Sequence, residues 1–239
     1  MKALIGHTGF VGSNLLKQAE FDRCYNSKNI EEIVDEQFEL VVCAGVSSIK
    51  WKANKHPKED FQQIQGLIEN LEATKFKRII LISTIAVYDN PADNAYGRNR
   101  LYLETYLKNN FDNVSIVRLP SLFGSGLKKN AIYDLINKDE QFLPHQDSTF
   151  QYYCLDTLWQ DIQTMQSANI KTLNISTEPI VFRDILKLFQ SNYLCSDSNK
   201  IVHEDMRSAH AAVWGKQKPY LYDRIEIINN LERFIKENV

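Results

Sequence analysis

No segment of this chain is a basic block. Its 28 Lys and Arg stand against 30 Asp and Glu for a net charge of -2, so the electrostatic footprint of a nucleic-acid-binding protein is missing. No apolar run approaches membrane-spanning length, and the few apolar residues ahead of His7 are too short for a secretory signal. A cytoplasmic location without membrane attachment is expected. The four cysteines, Cys24, Cys43, Cys154 and Cys195, are scattered, with no CxxC pair and no matching histidine spacing. Neither a zinc site nor a disulfide framework is expected; they read as small buried hydrophobes in a reducing compartment. His56, His145, His203 and His210 form no recognisable ligand set, so no metal is expected. Internal repeats, low-complexity tracts and linkers are absent too.

What is present is an alternation. "KALIG", "ELVVCAG", "RIILIST" and "VSIVRL" are short apolar runs of the kind that form buried parallel strands. Between them, Phe10 to about Ala19, Glu59 to Thr74 and Tyr96 to Asn109 carry apolar residues at helical spacing. Strands alternating with helices predict an α/β fold with a doubly wound parallel sheet of the Rossmann kind. The second strand, in "FDRCYNS", is short and polar, and "KNIEEIVDEQF" after it leaves room only for an abbreviated helix. Beyond Pro120 the pattern loosens. "GSGLKKNAIYDLINKDEQFLPHQDS" reads as loop and helix, "TFQYYCLDTLWQDIQTMQSA" as an edge strand running into a helix, and "KTLNIS" as a strand. "VFRDILKLFQSN" and "EIINNLERFIKEN" read as amphipathic helices. The expectation is one Rossmann-type domain over 1–239, with its nucleotide-binding part in 1–120 and a small C-terminal substrate lobe drawn mostly from 121–239.

The chain carries nine glycines, and three of them fall three residues apart in "GHTGFVG". Gly6 permits a tight turn after the first strand, Gly9 lets backbone approach a pyrophosphate, and Gly12 lets the helix pack closely on the strand. Amides at the helix start offer hydrogen bonds and partial positive charge to phosphate oxygens. Gly6, Thr8, Gly9, Phe10, Val11 and Gly12 are therefore the candidate pyrophosphate site. His7, inside the turn, either faces the phosphates or caps the turn.

"GHTGFVGSNLL" resembles the GxxGxxG fingerprint of the extended short-chain dehydrogenase/reductase family, the sugar-nucleotide epimerases, dehydratases and reductases. Further landmarks follow in the family's order: "ELVVCAG", "LISTIAVYD", "AYGRNRLYLE" and "VRLPSLFGSG", and more loosely "STFQYYCLDTLWQDI" and "LNISTEPIVFRDILKLF". The resemblance implies a nicotinamide dinucleotide with Ala44, Gly45 and Val46 along its pyrophosphate and ribose path, and Pro120 and Ser121 at its nicotinamide. It also implies a homodimer built through helices including the one that bears Tyr96. In this fold an acid at the end of the second strand binds the adenosine ribose of NAD. Here "CYNSKN" has none, so Asn26, Ser27 and Lys28 favour NADP. NAD stays open, through Asp22 or a shifted register.

Tyr96 and Arg100, four apart on one helix face, occupy the family's YxxxK positions. The resemblance makes Tyr96 the general acid/base and gives Arg100 the lysine's tasks, binding ribose and lowering the phenol's pKa. Arginine can bring charge and a fork of donors but cannot hand on a proton. Aligning "STIAVYD" on its Val and Tyr puts Thr84 at the family's catalytic hydroxyl, with Ser83 beside it at the cofactor. Tyr88 and Asn94 are expected to shape the substrate loop, and Lys129 and Arg207 to hold substrate phosphate. The implied function is an NAD(P)-dependent oxidoreductase or epimerase acting on a sugar or sugar-nucleotide carbonyl or hydroxyl. The alternative is a non-catalytic NADP(H)-binding sensor or partner-binding protein whose site lost its lysine. The brevity of the chain argues against a full-size nucleotide-sugar pocket and leaves a smaller activated sugar, a deoxysugar intermediate or a different carbonyl compound open.

Overall fold

The computed structural model describes residues 1–141, 143–190 and 200–238. Cys195 and the end of the helix expected over "VFRDILKLFQSN" lie outside the described residues. Along the chain, β1 (Lys2–Ile5) leads into α1 (Phe10–Leu16), β2 (Arg23–Tyr25) and a 3-10 turn over Ile30–Ile33. β3 (Gln37–Phe38) and β4 (Leu40–Cys43) precede α2 (Lys50–Lys55) and α3 (Pro57–Glu72). Next come β5 (Lys75–Phe76), β6 (Ile79–Thr84), a 3-10 turn over Ile85–Tyr88, α4 (Ala95–Asn110) and β7 (Val114–Leu119). β8 (Ser121–Phe123), α5 (Ala131–Ile136), β9 (Thr149–Phe150), β10 (Tyr152–Cys154) and α6 (Leu158–Ser167) follow. β11 (Thr172–Asn174), β12 (Ile180–Val181), α7 (Phe182–Leu188) and α8 (Arg224–Asn238) complete the order. The chain divides into two compact units, Met1–Leu119 with Leu158–Leu173, and Pro120–Thr157 with Asn174–Val239.

The first unit is built on a six-stranded sheet in the order β11-β7-β6-β4-β1-β2. The pairs β1/β2, β1/β4, β4/β6 and β6/β7 are all parallel. Continuous apolar strands are what a sheet covered on both faces demands, and all four residues of β4 are buried. The chain steps from β1 outward to β2, then crosses back to β4 on the other side of β1. That reversal makes a switch point at the carboxyl ends of β1 and β4, where open α/β sheets receive ligands. As its composition predicts, β2 is only three residues long with one of them, Tyr25, buried, and the return passes through a single 3-10 turn, Ile30–Ile33. The short parallel pair β3/β5 is too brief for any period to have marked it.

α2, α3 and α4 pack on one another. One helical stretch was expected before Thr74; the structure has two, because the chain bends at His56 and restarts with Pro57 in the first turn of α3, where a missing N–H costs nothing. The second unit holds the parallel pair β8/β10 and the antiparallel pair β9/β12. Its core gathers Phe123, Tyr152, Phe182, Ile185, Leu231 and Phe234. Among the described residues no helix is long and apolar enough to cross a membrane.

Candidate active site

At the carboxyl end of β1 the chain turns sharply. Gly6 takes φ +86, and a Cβ on it would come closer than 3.0 Å to the backbone of Ala44 and Gly45. Gly12, on the buried side of α1, would likewise strike the Gly6 carbonyl. Both are therefore packing requirements, as their spacing predicts. The Gly6 N–H donates to the Tyr25 carbonyl at 2.7 Å, and the Gly9 N–H to the Gly6 carbonyl at 2.9 Å. His7 Nδ1 donates to the Tyr25 carbonyl at 2.9 Å, so its ring fastens the turn to the end of β2.

Gly9 sits at the N-cap of α1 with extended backbone and no side-chain cap, and Thr8 and Gly9 are exposed. A Cβ on Gly9 would meet only the Gly6 carbonyl oxygen, at 3.2 Å. The outer side of the turn is thus open, with first-turn amides of Phe10 and Val11 that no side chain caps. This donor set fits a pyrophosphate. Ala44 and Gly45 close the adjacent strand end, Ala44 N–H donating to the Ile5 carbonyl at 2.9 Å, and Val46 packs on the core of the unit.

At the end of β2, Asn26 Oδ1 accepts the Lys28 N–H at 2.8 Å, while Asn29 Oδ1 accepts the Asn26 N–H at 2.8 Å. Asn26 is a turn former here, and Ser27 and Lys28 project as exposed residues. Asp22 accepts the Lys2 N–H at 2.6 Å. It therefore lies at the opposite end of β1 and β2 from the glycine turn, which removes it as a ribose ligand.

β6 ends in Ser83 and Thr84, whose side chains alternate sides as strand geometry requires. Ser83 Oγ donates to Glu104 Oε1 at 2.6 Å, a bond that occupies the hydroxyl expected at the cofactor. Thr84 accepts the Ala86 N–H at 3.1 Å, which leaves its own O–H to donate, and it lies close enough to Tyr96 to lower the pKa of the phenol. Tyr96 is mostly buried, and burial is the main reason its phenol is held above the ordinary range. Arg100, the Thr84 hydroxyl and Lys50 pull it down, and Asp60 pushes it up.

Arg100 stacks its guanidinium 3.9 Å from the centroid of the Tyr96 ring. Its fork is engaged elsewhere. Asp60 accepts from both terminal nitrogens, one bond at 2.8 Å, and the Ser47 carbonyl accepts a further bond. Arg100 and Asp60 are 4% and 7% exposed, so the fork expected at ribose hydroxyls is spent inside the protein. Asn99 Nδ2 adds a bond to Asp60 at 2.8 Å. Tyr88, 57% exposed, accepts a bond at 2.6 Å from Arg118, which also chelates buried Glu104.

Asp60, Lys50, Glu104 and Arg118 were not singled out from the sequence. Asp60 carried a signal: it shares the buried stripe of α3 with Ile64, Leu67, Ile68 and Leu71, and a charge on such a stripe needs a partner. Trp51 is 68% exposed.

Pro120, Ser121, Lys129 and Arg207 belong to the second unit. Ser121 N–H donates to the Gln151 carbonyl at 3.2 Å. Lys129 is exposed, and the partial desolvation of its ammonium lowers its pKa. Arg207 is exposed and pairs with Asp205 at 2.7 Å.

No protein-family model matches the chain, and no curated protein matches it. Solved structures share its fold. dTDP-4-dehydrorhamnose reductase from Bacillus anthracis, in complex with NADP, aligns over 100% of this chain and 99% of its own at 16% identity and TM-score 0.75. A double mutant of dTDP-glucose 4,6-dehydratase from Streptomyces venezuelae, with NAD bound, aligns over 99% and 96% at 11% identity and TM-score 0.74. UDP-N-acetylglucosamine 4-epimerase from Methanobrevibacter ruminantium, in complex with UDP-N-acetylmuramic acid, aligns over 98% and 96% at 14% identity and TM-score 0.73. At these identities the likeness establishes architecture, and chemistry has to come from the site.

Proposed function

We propose that the protein is a nicotinamide-dependent oxidoreductase or epimerase of the extended short-chain dehydrogenase/reductase type, acting on the carbonyl or hydroxyl of a sugar or sugar nucleotide. The observation that carries this reading is Tyr96, in the first turn of α4, set close enough to Thr84 at the carboxyl end of β6 for that hydroxyl to act on its phenol. It stands on the same sheet edge as the open glycine turn that follows β1. A bound dinucleotide supplies hydride exchange. The backbone amides of Phe10 and Val11 would hold its pyrophosphate, with Gly9 keeping the turn open and Ala44 and Gly45 beside them.

Tyr96 moves the proton. Because its pKa is raised above the usual phenol value of ~10, it is a neutral acid across the neutral range, set to protonate a carbonyl oxygen in the reductive direction. Thr84, its acceptor side filled by Ala86, donates to the phenolate that remains. Arg100 steadies the ring by lying on its face. The acid form is lost only as pH climbs through the raised pKa, so reductive turnover is expected to stay level through neutrality and fall above about pH 10.

Tyr96→Phe is expected to cut hydride transfer by about 10²–10⁴-fold while leaving the affinity for reduced cofactor unchanged, both followed through cofactor fluorescence. Turnover retained by the variant would remove the mechanism.

The cofactor is NADP(H) on this reading, because no carboxylate stands at the end of β2 to meet a ribose and Lys28 projects there. Lys28→Ala is then expected to weaken NADP(H) binding several-fold and leave NAD(H) binding as it was; titrating both reduced cofactors measures this. Equal effects on the two, or tighter NAD(H) binding by the native protein, would reverse the assignment.

A further inference from the structure

Tyr96 has an arginine where its helix would be expected to carry a lysine, and the charge of that arginine, which favours the phenolate, is opposed there by its own buried partner Asp60. Asp60 takes both of its terminal nitrogens in a buried pair, so Arg100 brings its face to the ring with its charge already met. The chain brings a different ammonium to the same helix turn. α2 is tied to α4 at two points: the Tyr96 N–H donates to Asn54 Oδ1 at 2.9 Å, and Arg100 holds the Ser47 carbonyl just before α2. Lys50, the first residue of α2, extends its ammonium to Asp89 Oδ2 at 3.0 Å. The same carboxylate oxygen accepts from Asn94 Nδ2 at 2.6 Å, and Asn94 is the N-cap of α4. Lys50 is thereby leashed beside the first turn of the tyrosine helix, with its side chain 55% exposed.

We propose that Lys50, reaching in from α2, is the cation that stabilises the Tyr96 phenolate, and that Asp89 is the acceptor on which it rests between turnovers. Lys50 is a positioning residue that acts through Tyr96. An ammonium on a flexible four-carbon stem can leave a solvent-exposed pair at little cost. Arg100, fixed by three acceptors, cannot make that move. The groups that act on the phenol are Thr84 on β6, Arg100 on its own helix, Lys50 on α2 and Asp60 on α3, and of the two cations Lys50 has its partner, Asp89, in contact with water while that of Arg100 is buried. This inference rests on Tyr96 being the acid/base of the proposed function, but its test needs no substrate.

The chain has 11 tyrosines, so tyrosinate absorbance of each variant is read against the same variant carrying Tyr96→Phe. At a fixed pH near the ordinary phenol pKa of ~10, Lys50→Gln is expected to lower the ionised fraction of Tyr96. Lys50→Arg should restore it, and Asp89→Asn should raise it by removing the competing carboxylate. An unchanged fraction in Lys50→Gln, or a fall in Asp89→Asn, would overturn the proposal. Such a result would leave the turnover of Tyr96→Phe to judge the function separately.

Discussion

Arg100→Ala is expected to lower the unfolding free energy by about 3–5 kcal/mol, because it strips the partner from a buried carboxylate without removing the carboxylate. Asp60 is 7% exposed and would keep only the Asn99 amide, at 2.8 Å, among its side-chain donors. For a chain of this size that loss corresponds to a fall in Tm on the order of 10 °C. The design of the pair is tested by the double variant Arg100→Ala, Asp60→Ala. Removing both leaves no buried charge unpaired, so the double variant should be more stable than Arg100→Ala alone, a coupling that non-contacting residues would not show. Arg100→Lys is expected to fall between, since one ammonium cannot meet Asp60 and the Ser47 carbonyl together while also lying flat on the Tyr96 ring. Thermal unfolding of the three variants decides the point. A loss under ~1 kcal/mol in Arg100→Ala would mean that the pair is hydrated and that Arg100 is free to serve the cofactor after all.

This pair also marks where sequence reasoning stopped. β1, β4, β6 and β7 were legible because each is a run of buried apolar residues, and the glycine turn because its three constraints fall on three glycines. Thr84 and Ser83 were legible as neighbours with opposite facings only once the strand was fixed, since a slip of one residue exchanges them. Asp60 is harder to read as a partner of Arg100. Forty positions separate the two, and a charged residue in an amphipathic helix is ordinarily on the wet side. The periodicity does show that each lies on the buried stripe of its own helix: Asp60 with Ile64 and Leu71, Arg100 with Leu103 and Leu107. Two opposite charges on buried stripes of consecutive helices predict one another. By the same rule Glu104, a further four residues along α4, predicts a buried cation, and Arg118 on β7 supplies it. Lys50 gave no such sign, because an exposed lysine is what any helix surface carries. Its meaning depends on Asp89 and Asn94, which only the fold brings beside it.

The other large effect is expected from one methyl group. Gly97 lies in the first turn of α4, where a Cβ would come closer than 3.0 Å to the carbonyl carbon and oxygen of Ala86. Ala86 is buried, and its N–H is held by Thr84, so the obstruction is backbone that cannot swing aside. Helix propensity favours alanine over glycine by ~1 kcal/mol, whereas overpacking costs ~1–3 kcal/mol and sometimes more. Gly97→Ala should therefore be destabilised overall. The relaxation available is to lift α4 away from the Ile85–Tyr88 turn, which stretches the bond that joins them, donated by Asn94 Nδ2 to the Ala86 carbonyl at 3.4 Å. Tyr96 would move with the helix while Thr84 stays with the sheet. A displacement of about 1 Å at reacting groups can cost ~10²-fold in rate, so turnover should fall by about that much, with cofactor affinity kept because the glycine turn is untouched. Gly66→Ala is the matched control. It also sits inside a helix, but nothing lies within 4 Å of its Cβ position, and it should gain ~1 kcal/mol from propensity alone. If Gly97→Ala behaved like Gly66→Ala in thermal unfolding and in rate, close approach of α4 to the Ile85–Tyr88 turn would not be what holds Tyr96 against Thr84.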